Sequence, residues 1–393
     1  MPYRIPFNKP FIVGKELYYV AQSVLQEQIS GDGPYTKKAQ QLLQDVFGVH
    51  RILLTTSCTA ALELAAILSN LKEGDEVILP SFTFSSTANA FLLCRARLVF
   101  VDCRPDTLNL DEKQIESSIT ERTRVIVPVH YAGIACEMDS ILSLARKYHL
   151  LVVEDAAQGV NSKYKGRFLG TIGDIGTYSF HETKNFICGE GGAIALNRPE
   201  FVERAEIVRE KGTNRSRFIR GQVDKYTWVD IGSSFLPSDI VAAFLFAQLE
   251  NMDLITKRRA QIYELYRSHL RPLADQGLIV LPTIPADCET NYHMFYILLN
   301  SLAERTRLIE HLKADGILAV FHYVPLHTSP MGRAMGYREG MLPVTERLSE
   351  RLLRLPMYYD MLQSDVMSVI TQIFDFFKVS PPKAVDVQPP PGS

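Results

Sequence analysis

Short apolar runs that recur between stretches of helical periodicity constrain this chain more than any other feature. Arg51–Thr55, Glu76–Pro80, Leu98–Asp102, Val125–Val129 and Leu151–Glu154 are β-rich and almost continuously apolar, and segments with helical spacing separate them. A strand apolar on both faces is buried on both faces, so the alternation predicts an α/β fold with a mostly parallel sheet covered by helices on two sides. Two further runs, Gly176–Phe180 and Ala193–Leu196, follow too closely for a helix between each pair. Part of the sheet is therefore expected to be antiparallel. Two helical patterns come first, around Leu17–Gln28 and Lys37–Phe47, separated by the turn-rich Ser30-Gly31-Asp32-Gly33-Pro34.

After the strands come helical patterns at Pro199–Lys211 and Ser238–Leu270, the second long enough to carry the chain out of its first domain. Beyond it, strands near Tyr292–Leu299 and Val320–Tyr323 and helices near Glu304–Asp315 and Thr345–Leu353 read as α+β. The expected organisation is a large domain over 1–270, a small one over 271–378 and a disordered tail over 379–393, where five of fifteen residues are proline. With 42 Lys+Arg against 44 Asp+Glu, the net charge of −2 gives no electrostatic reason to expect nucleic acid or an anionic membrane. The longest apolar run, Ile240 to Gln248, falls far short of the roughly 20 residues a membrane span needs. The N-terminus lacks the apolar core of a signal peptide, and six cysteines show no metal-ligand spacing, so reduced thiols and a cytoplasmic location are expected.

The two familiar nucleotide fingerprints, GxGxxG after a strand and GxxxxGK[ST], do not occur. His181-Glu182-Thr183-Lys184-Asn185 begins like a zinc-binding HExxH, but Asn185 stands where the second histidine would be, so no metal is expected. What remains lies at strand ends. Leu151–Glu154 runs into Asp155, and ligands of open α/β sheets sit outside the carboxyl ends of the strands. Taken alone, Asp155 could equally cap the next segment. Lys184, after the run that ends at Phe180, could be a solvated loop lysine. Ser57-Cys58-Thr59 opens a helix, where unpaired amides and the positive dipole end attract a phosphate, although Ser57 could simply be an N-cap. Phe84, past the second strand, offers an aromatic face to a planar ligand or a side chain to the core. Together these are the parts that hold pyridoxal 5′-phosphate (PLP): a lysine for the Schiff base, a carboxylate for the pyridine nitrogen, a helix start for the phosphate and an aromatic for the ring.

The segments Glu154-Asp155-Ala156-Ala157-Gln158, Ser179-Phe180-His181-Glu182-Thr183-Lys184-Asn185 and Gly189-Glu190-Gly191-Gly192 resemble the DegT/DnrJ/EryC1/StrS sugar aminotransferases, over nearly the whole chain. Within that family the chain looks closest to the dTDP-4-amino-4,6-dideoxygalactose transaminases of enterobacterial common antigen synthesis. That likeness rests on Pro128-Val129-His130-Tyr131-Ala132-Gly133, on Arg209-Glu210-Lys211-Gly212-Thr213-Asn214-Arg215 and on Gly221–Trp228. The resemblance implies a fold type I PLP-dependent transferase, aspartate aminotransferase-like, working as a homodimer with shared active sites. It implies amino transfer from L-glutamate to C4 of dTDP-4-keto-6-deoxy-D-glucose.

By the same resemblance Lys184 matches the Schiff-base lysine, Asp155 the partner of the pyridine nitrogen, and Gln158 the residue beside the ring and its phenolic oxygen. Ser57, Cys58, Thr59 and Ser179 fall at the phosphate, and Phe84 at the stacked aromatic. Ser234 stands where many relatives carry an Asn that the neighbouring subunit gives to the phosphate. His322 and Tyr323 match a segment near the sugar, while Lys225 or Arg220 could meet the diphosphate or lie solvated at the surface. Other readings are another nucleotide-sugar C3 or C4 aminotransferase of the same family, or a sugar dehydratase of the same fold; those dehydratases carry His in place of the lysine. A regulatory or structural dimer would be supported by loss of Asp155 or Lys184, and both are present.

Overall fold

Hydrophobic alternation within each strand divides the core into two layers with a sheet between them. In the computed structural model, which describes residues 3–380, Ile52, Leu54, Ile78 and Val152 face one apolar cluster, and Leu53, Val77, Leu79 and Val153 face another. Each such side chain taken from water contributes about 1.5–3 kcal/mol, so both faces must be covered. The sheet contains β1 (Arg51–Thr55), β2 (Glu76–Pro80), β3 (Arg97–Val101), β4 (Thr123–Ile126), β5 (Leu151–Asp155), β8 (Ile175–Ser179) and β9 (Gly192–Leu196). Its order is β1-β9-β8-β5-β4-β2-β3; β9 runs against both its neighbours and the other strands share one direction. The expected antiparallel part is thus β9 alone.

One layer is built from α2 (Pro34–Phe47), α6 (Met138–Tyr148) and α9 (Asp239–Leu249), the other from α3 (Cys58–Leu68), α4 (Ser85–Leu93) and α7 (Val202–Arg209). Helix α1 (Glu16–Leu25) packs on α9, α5 (Glu112–Ser118) lies between β3 and β4 in the chain, and α8 (Arg215–Ile219) is a short surface helix. Between β5 and β8 the chain makes β6 (Lys163–Tyr164) and β7 (Arg167–Phe168), a hairpin extended by β10 (Cys288–Glu289) into a small sheet. A third apolar cluster joins α10 (Met252–Asp275), β11 (Tyr296–Leu298), α11 (Leu302–Ala314), β12 (Leu352–Arg354) and α14 (Gln363–Phe377). Helices α12 (Pro330–Ala334) and α13 (Pro343–Arg351) return the chain toward the first sheet, where Asp102 accepts the backbone amides of Val344 and Thr345.

Three expectations are corrected. The helix read over Ser238–Leu270 is two helices, because α9 ends at Leu249 and α10 starts at Met252, with Asn251 turning its amide onto the Ala247 carbonyl. Val320–Tyr323 is not a strand: Val320 alone pairs with Arg354, since the available partner β12 is three residues long. The helix expected to reach Leu353 stops at Arg351, and the next residues form that strand. The part of the tail over 381–393 lies outside the described residues.

Candidate active site

The parallel strands all deliver their carboxyl ends to one edge. There β5 ends at Asp155 and β8 at Ser179, while β9 begins at Gly192 between Ser179 and Thr55 of β1. A Cβ on Gly192 would fall 2.4 Å from the Ser57 carbonyl carbon, so only glycine lets β9 pass this close to the start of α3. Ser57 caps that helix by accepting the Ala60 amide at 3.0 Å, and the Cys58 and Thr59 amides of the first turn have no intrahelical carbonyl to meet. The simple N-cap and the anion-ready terminus are therefore the same structure. Thr59 shares a 2.8 Å hydroxyl contact with Ser86 at the start of α4, and burial pushes the Cys58 thiol up.

Asp155 is buried, and its two oxygens are held separately: Thr87 donates its hydroxyl to Oδ2 at 2.7 Å and the Ala157 amide donates to Oδ1 at 3.1 Å. The neighbouring Glu154 faces the opposite side of the sheet, as strand alternation requires. It accepts the amides of Gly170, Ile172 and Gly173 and meets His130 Nε2 at 2.9 Å. Lys184 sits in the loop between β8 and β9, which Phe180 and Gly191 close by a backbone bond of 2.8 Å. Burial lowers the Lys184 pKa from 10.5, and the Arg354 cation acts in the same direction while Asp155 opposes it.

Ala157, Gln158, Ser179, Lys184 and His293 line one tight cavity at this edge. Gln158 accepts the Ala132 amide at 2.7 Å and donates to the Tyr323 hydroxyl at 3.1 Å. Tyr131 meets His322 Nδ1 at 3.0 Å, and burial drives His322 well below 6.5 and pushes the Tyr323 phenol up. Phe84 is 60% exposed, with its ring centroid 6.3 Å from that of Tyr323. Its position is the rim, not the core.

Ser57, Cys58, Thr59, Phe84, Asp155, Gln158, Ser179, Lys184, His322 and Tyr323 thus come together at or beside the sheet edge. Ser234 is an exposed residue beside Phe235, whose carbonyl accepts the Thr56 amide. Lys225 is exposed, and Arg220 gives its guanidinium to Glu206 at 2.8 Å. Neither lines the cavity. Four groups were missed: Thr87, Tyr131, the pair Asn185 and His293, and Arg354. Arg354 holds a guanidinium whose buried Nε has no partner among the described residues and whose Nη2 donates to the Phe321 carbonyl at 3.3 Å. Tyr131 and Asn185 lie inside segments already singled out, so proximity to them was the available signal; Thr87 and Arg354 carry none.

Comparison with known proteins agrees with this arrangement. Residues 12–374 match the profile of the DegT/DnrJ/EryC1/StrS aminotransferase family. The uncharacterized protein MJ1066 of Methanocaldococcus jannaschii is 37% identical over 376 residues, 94% of this chain and 96% of its own. The spore coat polysaccharide biosynthesis protein SpsC of Bacillus subtilis is 32% identical over 382 residues, 95% of this chain and 97% of its own. Among solved structures, Spr1654 of Streptococcus pneumoniae in its PLP form aligns with a TM-score of 0.89 at 27% identity, over 96% of this chain and 99% of its own. It has also been solved in a PMP form. The architecture is that of the fold type I PLP-dependent transferases, and the chain belongs to the DegT/DnrJ/EryC1/StrS aminotransferase family.

Proposed function

We propose that this sugar aminotransferase uses PLP to move the amino group of L-glutamate to C4 of dTDP-4-keto-6-deoxy-D-glucose, giving dTDP-4-amino-4,6-dideoxy-D-galactose and 2-oxoglutarate. The observation that carries the reading is the convergence, at one sheet edge, of an amine with a lowered pKa, a carboxylate held by two donors, and the open amides of α3. These residues fit the cofactor. The α3 start and Ser179 suit its phosphate, Asp155 its ring nitrogen, Lys184 its carbonyl, and Gly192 clears the space beside the phosphate site.

Bound PLP supplies an electron sink for carbanion character at the carbon that loses or gains the amino group. Lys184 anchors the cofactor and, once its amine is freed, takes the proton from the donor's α-carbon. It returns a proton to C4 of the sugar in the second half of the reaction. The lowered pKa leaves more of that amine unprotonated near neutrality, as a base requires. Asp155 would hold the ring nitrogen, and Tyr323, which accepts from Gln158 and packs against His322, would face the sugar. Arg354 supplies the countercharge for a carboxylate of the donor, since its guanidinium lies beside Tyr131 and Tyr323 with no acidic partner among the described residues.

A second copy of the chain completes the site in this reading. Phe218, Ile219, Tyr226, Val229, Ile231 and the 77% exposed Trp228 leave apolar surface on the segment that also carries Lys225, Arg220 and Ser234. A partner subunit's cavity would cover it, and sedimentation at micromolar concentration is expected to give twice the chain mass. Visible absorbance tests the reaction itself. The yellow band of the PLP-loaded protein is expected to fade with L-glutamate and return on adding dTDP-4-keto-6-deoxy-D-glucose. Return only with a 3-keto sugar nucleotide would overturn the C4 assignment, and a protein that takes up no PLP would overturn the reading as a whole.

A further inference from the structure

Ser81 follows β2 directly, and it and His327 are both fully buried. Ser81 Oγ lies 2.7 Å from His327 Nδ1 and accepts the His327 amide at 3.1 Å, while His327 Nε2 lies 2.8 Å from Oε1 of Glu346 on α13. Glu346 also accepts the Gly340 and Leu342 amides, as an ionised carboxylate does, so Nε2 carries a ring proton toward it. Nδ1 takes the Ser81 hydroxyl proton, which has no other acceptor among the described residues; a proton on Nδ1 as well would strand that buried hydroxyl. The order Ser–His–Glu is that of a hydrolytic triad, but no substrate reaches an oxygen this buried. The relay joins parts of the chain instead.

Those parts flank the cavity. The Leu326 amide donates to the Ser81 carbonyl at 3.0 Å, a second bond at the same point, and upstream Val320 pairs with Arg354. Between these anchors the amides of Phe321, His322, Tyr323 and Val324 have no backbone partner among the described residues. The place of Tyr323 is therefore set by the two ends of its segment, by the Gln158 bond at its hydroxyl and by ring contacts. Its ring meets that of Phe82 edge-on at 5.6 Å and that of Phe84 at 6.3 Å, both just past Ser81 in the chain. Strand β2 is paired on both sides, with β3 and β4, so Ser81 is the fixed end of the relay and the 321–325 segment is the end it places.

We propose that His327 is a positioning residue for the sugar half of the reaction: bonded to Ser81, it holds the segment that carries Tyr323 against the end of β2. The proposal rests on the reading of Tyr323 as the residue that faces the sugar. His327 itself touches neither sugar nor cofactor. The donor half rests on Lys184, Asp155 and Arg354, and none of these bonds to Ser81, His327 or Glu346. Loss of the relay therefore weakens the use of the sugar and spares the use of glutamate.

Two substitutions divide the relay. His327→Gln carries an amide to the Nε2 position, keeps the bond to Glu346 and gives up the one to Ser81. His327→Asn puts an amide oxygen where Nδ1 stood, keeps an acceptor for the Ser81 hydroxyl and gives up Glu346. Each half-reaction of the PLP-loaded full chain is followed by its visible band. In His327→Gln the KM for dTDP-4-keto-6-deoxy-D-glucose is expected to rise about tenfold, the scale of one lost buried hydrogen bond, with bleaching by L-glutamate within about threefold of the natural chain. In His327→Asn both are expected to stay within about threefold. Equal losses in the two half-reactions, which mere support of the fold gives, would overturn the proposal, and so would an unmoved KM in His327→Gln or a larger rise in His327→Asn. Ser81→Ala removes the same bond from the strand side and carries the same expectation, which covers a His327→Gln chain that does not fold. A readout without sugar completes the test. With ¹³C-labelled tyrosine in the PLP-loaded full chain, the Tyr323 ring resonance, identified by its loss in Tyr323→Phe, is expected to shift in His327→Gln and to hold in His327→Asn; an unshifted resonance in His327→Gln overturns the placement. A natural chain whose band never returns with this sugar would defeat the functional reading, while the resonance would still decide whether His327 places Tyr323.

Discussion

Asp155 is held in place by a threonine from the first turn of α4. Thr87 donates to one carboxylate oxygen and the Ala157 amide to the other, so the group can face a ring nitrogen without rotating. Asp155→Asn is expected to leave PLP binding measurable while lowering kcat by a factor of about 100 or more, because a neutral amide cannot hold the ring nitrogen protonated. Stopped-flow absorbance with glutamate checks it, and a near-normal rate would remove Asp155 from its role. Thr87→Val keeps the shape and removes one donor; about a tenfold loss in kcat with KM little changed is expected from the same assay. Lys184 and Asp155 could be read from the chain because each follows an apolar strand, where ligand chemistry concentrates in this kind of sheet. Thr87 and Arg354 could not, since their meaning lies wholly in which neighbour they face.

Strand β5 serves two purposes through its alternation. Asp155 looks to the cavity while Glu154, one residue earlier, gathers three amides of the 170–173 turn and His130. Three backbone amides and His130 hold its carboxylate, which makes it the anchor of the crossover that leads into β8. Glu154→Gln would turn an amide against those donors, and a stability loss of about 3 kcal/mol or more is expected, read as a lower urea midpoint. A midpoint equal to that of the natural chain would show that the turn holds without it. Six strands of the large sheet were readable to within one residue, because a run of apolar residues carries its own signal, while β4, read over Val125–Val129, spans Thr123–Ile126. The β6–β7 hairpin, with two residues in each strand, is too short for alternation to appear. The break between α9 and α10 escaped for a related reason: apolar spacing continues across it, and only the passage of α10 from the first apolar cluster into the third shows the change.

Across the whole molecule, buried neutral histidines make stability depend on pH. Burial keeps His293 and His322 well below 6.5 in the folded protein, whereas the unfolded chain binds protons near that value. Below pH 6.5 the unfolded state therefore holds more protons, and stability falls as pH falls, by roughly 1.4 kcal/mol per pH unit for each ring. The urea midpoint of cofactor-free protein is expected to drop between pH 7.5 and 5.5, and less steeply in His293→Asn. Equal slopes would mean that His293 titrates freely. The layered sheet, the placing of Asp155 and Lys184 at its edge and the helix start beside them follow from local chemistry: apolar runs bury themselves, and their ends stay open. The companions of those groups follow from packing. His293 meets Asn185 across 108 residues of chain, and Tyr131 meets His322 across 191. No local pattern encodes such a meeting, because a buried donor or acceptor takes whatever partner the packed layers bring within reach, and that is settled only when the whole chain has closed around the sheet edge.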